Sequence, residues 1–129
     1  MTKSVGEILE EKGGEVIAIS SESSIPEAAR MMSHKKIGLL IVLNEKNNFV
    51  GVLSERDIVR AVAIDPESVA DMHVGRLITR NVIACDPQAM PEDLISVMNE
   101  KGFRHMPVVE DGSVKGVVSR TDLMRHSSN

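Results

Sequence analysis

Apolar positions along the chain fall into short blocks, and the series of blocks comes twice. Val16-Ile17-Ala18 recurs as Val82-Ile83-Ala84, and Gly51-Val52-Leu53-Ser54 recurs as Gly116-Val117-Val118-Ser119. Asp57-Ile58-Val59-Arg60 returns as Asp122-Leu123-Met124-Arg125, displaced by 65 residues like the pair before it. Between Ile37 and Phe103 the offset is 66, which places one extra residue, Gly102, at the end of the second copy's helix. Fixed-offset similarity of this kind marks an internal duplication, so each copy is one structural unit.

Each copy predicts the same order of elements. A short β-branched run (residues 16–19 and 82–85) reads as a strand. Helical spacing follows, with apolar Ile25, Ala28, Ala29 and Met32 in one copy and Met90, Leu94, Val97 and Met98 in the other. Ser24-Ile25-Pro26-Glu27 forms a capping box with proline in the opening turn, whereas Ala89 stands where Ser24 does, so the second cap must come from elsewhere. An apolar strand comes next (39–43; 106–109), then a turn, which in the second copy holds the hairpin signal Asp111-Gly112. The returning strand (49–53; 114–118) runs into Ser-x-x-Asp and a closing helix. The predicted fold is therefore α+β, two tandem strand–helix–strand–strand–helix repeats. Val5-Gly6-Glu7-Ile8-Leu9 and Val74-Gly75-Arg76-Leu77-Ile78 read as matching lead-in helices. The boundaries fall at 1–62 for the first repeat, 63–73 for a polar linker and 74–129 for the second repeat.

Composition narrows the function classes. The 129 residues are 42% hydrophobic, enough for a core, and carry 15 basic against 19 acidic groups. A formal charge of −4, with no Trp or Tyr and only Phe49 and Phe103, disfavours nucleic acid, which wants a basic stripe and aromatic platforms. Eight methionines act as adaptable core filler in their place. A single cysteine, Cys85, excludes an internal disulfide and a Cys-based zinc cage. The scattered His34, His73, His105 and His126 form no ligand pair, so no metal site is expected. The opening MTKSVGEILEEKGG does not read as a signal peptide, and residues 37–43, the longest apolar run, fall far short of the ~20 needed to span a bilayer. A soluble cytoplasmic protein is expected.

The chemistry concentrates where a strand passes into a closing helix, at Gly51-Val52-Leu53-Ser54-Glu55-Arg56-Asp57 and Gly116-Val117-Val118-Ser119-Arg120-Thr121-Asp122. Unpaired first-turn N–H groups and the helix dipole favour an anion there. A carboxylate three residues past the serine can accept two hydrogen bonds, as vicinal ribose hydroxyls would offer, and Arg56 or Arg120 can neutralise phosphate. The same Ser-x-x-Asp is also a capping box that needs no ligand. Both readings stand, and they are compatible. Glu10-Glu11-Lys12 and Glu45-Lys46 read as solvated charge.

This order of elements, with Ile37-Gly38…Val42, Arg104-His105-Met106-Pro107-Val108-Val109 and two Gly-x-x-Ser-x-x-Asp segments, resembles the cystathionine-β-synthase (CBS) repeat family over almost the whole chain. The resemblance implies that the repeats pack through their sheets with two related clefts between them, and that the module forms a homodimer. It implies binding of AMP, ADP or ATP, or else of S-adenosylmethionine or a nicotinamide dinucleotide such as NAD. Ser54, Asp57, Ser119 and Asp122 carry over as ligand residues, with Arg56, Arg120 and Thr121 beside them. Thr79, Asn81 and Val82 match the base-contacting loop, whose first-copy counterpart Gly13-Gly14-Glu15-Val16 lacks the threonine. Gly38, Met106 and Pro107 correspond to cleft-lining strand residues, and His105 is either a cleft wall or a surface histidine. The expected function is a non-enzymatic nucleotide sensor that requires no cofactor beyond its nucleotide ligand and acts on a separate protein partner. The alternative is a ligand-free dimerisation or interaction scaffold.

Overall fold

The computed structural model describes residues 3–13 and 16–127. In chain order the elements are α1 (Val5–Lys12), β1 (Ala18–Ser20), α2 (Ile25–Lys35), β2 (Leu39–Leu43), β3 (Phe49–Ser54), α3 (Glu55–Ile64), α4 (Pro66–Val69), α5 (Pro91–Lys101), β4 (His105–Glu110), β5 (Ser113–Ser119) and α6 (Arg120–Arg125). A 3-10 turn, Val74–Arg76, lies between α4 and α5. The predicted mixed helix and strand content, duplicated, is what forms.

The chain divides into two compact units, one of Ile17–Val82 and one of Ile83–Asn129 together with Met1–Val16. This spatial division is not the sequence division. The N-terminal lead-in belongs to the unit of the second repeat, and the lead-in at 74–78 belongs to the unit of the first.

In the first unit β1 pairs in parallel with β2, and β2 pairs antiparallel with β3. The apolar stripe of α2 (Ile25, Ala28, Met32) closes over Ile19, Leu40, Val42 and Leu53, and Val69 and Val74 complete that core. In the second unit β4 and β5 form an antiparallel hairpin covered by Leu94 and Met98 of α5 and Leu123 of α6. Val5 and Ile8 of α1 are buried in that same core. Burying each contributes roughly 1.5–3 kcal/mol, so α1 is held by packing and not by helix propensity alone.

Four expectations change. The extra residue is not Gly102. Helices α2 and α5 are equally long, and Lys36 (φ 57) and Gly102 (φ 78) occupy the same left-handed C-cap position. The offset changes instead in the hairpin, where Leu43 pairs with Phe49 but Val109 with Val114, so the first turn is one residue longer. That alignment puts Met90, not Ala89, opposite Ser24, and α5 starts without a side-chain cap. The second lead-in makes only the 3-10 turn. It lacks the Ser4–Glu7 capping box that starts α1, and its Thr79 is drawn into pairing with Val52. Residues 82–85 form no regular strand; Cys85 alone bridges Val108. The stretch read as a polar linker is also built in, through the last turn of α3, the one-turn α4 and buried Val69.

Candidate functional site

Both Ser-x-x-Asp segments fold as complete capping boxes. Ser54 ends β3 and caps α3: its N–H donates to Asp57 Oδ2 at 2.9 Å, and its Oγ accepts from the Asp57 N–H at 3.1 Å. Ser119 repeats this on α6, with its N–H 2.9 Å from Asp122 Oδ2 and its Oγ accepting from the Asp122 N–H at 3.0 Å. Each carboxylate thus spends one oxygen, Oδ2, on the cap. Their side chains are only 14% and 15% exposed, so each presents its remaining acceptor capacity from a partly desolvated position.

The surroundings of the two carboxylates differ. Asp57 faces Arg60, one turn along the same helix, with Nη1 3.6 Å from Oδ1. Asp122 meets Lys12, from the end of α1. The Lys12 ammonium donates to Asp122 Oδ2 at 2.8 Å and to the Val117 carbonyl at 3.2 Å. Burial works to raise the Asp122 carboxyl; hydrogen bonds from Lys12 and Ser119 and the Lys12 charge outweigh it, and the carboxyl is held below its ordinary value. The sequence reading missed Lys12 and took it for solvated charge. The 110 residues between it and Asp122 leave no local signal of the pairing.

The remaining candidates divide between the units. Around Asp57 the Gly38 carbonyl accepts from the Glu55 N–H at 3.0 Å, tying the start of β2 to the start of α3. Thr79 lies in this unit too. Its N–H donates to Val52 O at 2.9 Å, and its carbonyl accepts from Val52 N at 3.1 Å. Gly51 makes that approach possible, because a Cβ there would sit 2.4 Å from Thr79 O. The threonine loop therefore accompanies the first repeat's carboxylate, Asp57. Thr79 and Asn81 are exposed and Val82 is partly buried; Arg56 is exposed on α3. Within the first-copy counterpart of this loop, Gly14 and Glu15 lie outside the described residues.

Around Asp122, exposed His105 pairs across the hairpin with Ser119. Arg120 Nε donates to Asn99 Oδ1 at 3.0 Å, and Thr121 is exposed on the first turn of α6. Met106 is fully buried in the second core, and Pro107 is buried beside it with its carbonyl accepting from Cys85 N at 3.0 Å. The Met106 side chain supports the hairpin from its core face, and strand alternation turns Pro107 to the opposite face. Burial first, and Asp86 second, push the Cys85 thiol up to about 11. No group of three His, Cys, Asp or Glu side chains suited to a metal occurs among the described residues. Nor is any helix among them long and apolar enough to cross a membrane.

Comparison with known proteins agrees with this architecture. The CBS domain family matches twice, over residues 5–64 and 74–129. An uncharacterized protein of Methanocaldococcus jannaschii is 32% identical over 123 residues, covering 94% of this chain. The chain spans 41% of that protein's length, and 66% and 61% of relatives from Acidianus ambivalens and Methanopyrus kandleri. The crystal structure of a CBS-domain containing protein from Agrobacterium tumefaciens superposes with a TM-score of 0.91 at 32% identity, over 98% of this chain and 94% of that one. The CBS domain pair of protein MJ0100 was solved with 5′-methylthioadenosine and S-adenosyl-L-methionine. It is 27% identical with a TM-score of 0.83, over 97% of this chain and 95% of that one.

Proposed function

The chain belongs to the CBS domain family, and from that premise we propose that it is a non-enzymatic regulatory module that binds an adenosine-containing nucleotide, with AMP, ADP or ATP as the ligand class. The observation that carries this reading is the repeated carboxylate. Asp57 and Asp122 each sit at a helix start, mostly shielded from water, with one oxygen committed to the cap and acceptor capacity left over. A pair of vicinal ribose hydroxyls is a suitable donor for such a group, and first-turn N–H groups favour a neighbouring phosphate. The ligands of the MJ0100 domain pair share an adenosine moiety, which supports the ribose assignment. The module acts in the cytoplasm on a separate protein partner, through a conformation that the ligand favours by binding it more tightly.

A second reading, the dimerisation scaffold, draws on α3. Its Val59, Val62 and Ile64 are exposed, Val59 at 67% and Ile64 at 79%, and Met124 occupies the place of Val59 on α6. Exposed large apolar side chains, Val59 and Val62 sharing one helix face, are a feature of interaction surfaces. We take homodimerisation through α3 as compatible with nucleotide binding rather than as a rival to it.

Thermal melts followed by circular dichroism, on protein free of 260 nm absorbance, test the proposal. A ligand at about 100 times its dissociation constant adds about 2.7 kcal/mol to stability and shifts the melt visibly. AMP, ADP or ATP is expected to produce that shift. The absence of a shift with all three, and with S-adenosylmethionine and NAD, contradicts nucleotide binding and leaves the scaffold.

A further inference from the structure

We propose that Lys12 is a specificity-determining residue of the second repeat, selecting phosphorylated adenosine ligands over neutral or cationic ones at Asp122. The inference rests on the nucleotide-binding reading above and deepens it.

Lys12 is a placed group and not a loose surface lysine. Helix α1 starts in a Ser4–Glu7 capping box. It is fastened to the second unit by Val5 N–H to Ala89 O at 2.9 Å and Gly6 N–H to Pro87 O at 2.8 Å. Leu9 packs directly on β5 at Gly116, where a Cβ would lie 2.9 Å from Leu9 Cδ2. With the helix fixed, its last residue delivers the ammonium to Asp122 and the Val117 carbonyl.

The choice of oxygen matters. Lys12 binds Oδ2, which the Ser119 N–H already uses, so Oδ1 stays outside both contacts. The ammonium therefore does not replace a ligand hydroxyl; it sits beside the place where one would dock. An ammonium has three N–H donors, and two are spent on Asp122 and Val117, leaving the third for an incoming group. Near that donor an anionic phosphate gains a charge-assisted bond, a neutral nucleoside gains none, and a sulfonium is repelled. Around Asp57 the corresponding cation is Arg60, 63% exposed and facing Oδ1, the oxygen a ligand would need. The two repeats are thus unequal readers of charge.

The test is titration calorimetry of the 129-residue chain carrying Asp57→Asn, which weakens the first repeat and leaves the second to be read, with AMP, adenosine and S-adenosylmethionine. Lys12→Met is expected to weaken AMP about tenfold, to leave adenosine within about twofold and to strengthen S-adenosylmethionine. Lys12→Arg is expected to keep the preference for AMP. If Lys12→Met lowers AMP and adenosine affinity together, or changes neither, the selectivity role is overturned and Lys12 only holds α1 in place. Should Lys12→Met not fold, the salt dependence of the Asp57→Asn parent decides. AMP affinity falling with ionic strength while adenosine affinity does not supports the role, and equal dependence overturns it. Failure of all three ligands to bind the Asp57→Asn parent overturns nucleotide binding at Asp122 itself, and this inference with it.

Discussion

Thr79 and Gly51 touch through the backbone: with glycine at 51, the Thr79 carbonyl comes so close to β3 that a Cβ there would lie 2.4 Å from its oxygen. Beside that contact Val52 and Thr79 exchange both of their backbone hydrogen bonds. The segment that opens the second repeat in sequence is thereby bound to the unit of the first. Gly51→Ala is expected to force this pairing apart and to cost about 1–3 kcal/mol, read from urea denaturation followed by circular dichroism. A cost below about 0.5 kcal/mol would mean that the Thr79 strand yields freely and is not fixed by the contact.

The two capping boxes make a matched pair of predictions. Ser54→Ala and Ser119→Ala are each expected to destabilise the protein by about 1 kcal/mol, because each removes the acceptor for one first-turn N–H group. Asp57→Asn keeps an acceptor for the Ser54 N–H and is expected to cost less than Asp57→Ala. Equal costs for the two Asp57 variants would place the effect in the charge near the helix dipole and not in the hydrogen bond.

Acid sensitivity follows from the Lys12–Asp122 pair. The Asp122 carboxyl titrates below its ordinary value in the folded chain. Its contribution is therefore full at pH above the unfolded carboxylate range and is lost as pH falls through the depressed folded value. Lys12→Met is expected to lower the melting temperature more at pH 6 than at pH 3. A deficit that stays the same at both pH values would assign the loss to packing of the lysine stem.

The Cys85 thiol, raised to about 11, is expected to be nearly inert to iodoacetamide at pH 8, because the thiolate is the reactive form. Its raised value has the opposite sign from Asp122: the contribution to stability is present below the unfolded thiol range and is lost as pH rises through about 11. Denaturant should expose the thiol to rapid alkylation. Fast reaction of the folded protein would show that the Cys85–Val108 bridge opens readily.

The exposed apolar residues of α3 make an assembly prediction. Val59→Asp together with Ile64→Asp is expected to convert a dimer into a monomer in light scattering, with little change in the helical signal, because neither side chain is buried in the unit. An unchanged mass would move the interface away from α3.

Much of this was legible in the sequence because it is written in local spacing. Ser54-x-x-Asp57 and Ser119-x-x-Asp122 are boxes of four residues, and the duplication exposes their equivalence. What the spacing did not carry is long-range. The offset of 66 between Ile37 and Phe103 reads as an added Gly102; Lys36 takes the same left-handed C-cap conformation as Gly102, and the length difference lies in the turn. Val5 and Val74 begin similar sequences, yet one lead-in is a helix and the other a 3-10 turn, because the first has a capping box and Thr79 of the second is claimed by β3. Lys12 reads as one more surface charge until α1 is packed on the second repeat.

The measurement that bears most directly on the central claim is titration calorimetry of AMP and ATP into nucleotide-free protein, wild type beside Asp57→Asn, Asp122→Asn and the double variant. The carboxylate assignment predicts saturable binding to the wild type, at least about tenfold weaker at the altered repeat in each single variant and at both repeats in the folded double variant. Affinity unchanged in the double variant would contradict ribose recognition by these carboxylates and leave Ser54-x-x-Asp57 and Ser119-x-x-Asp122 as helix caps alone.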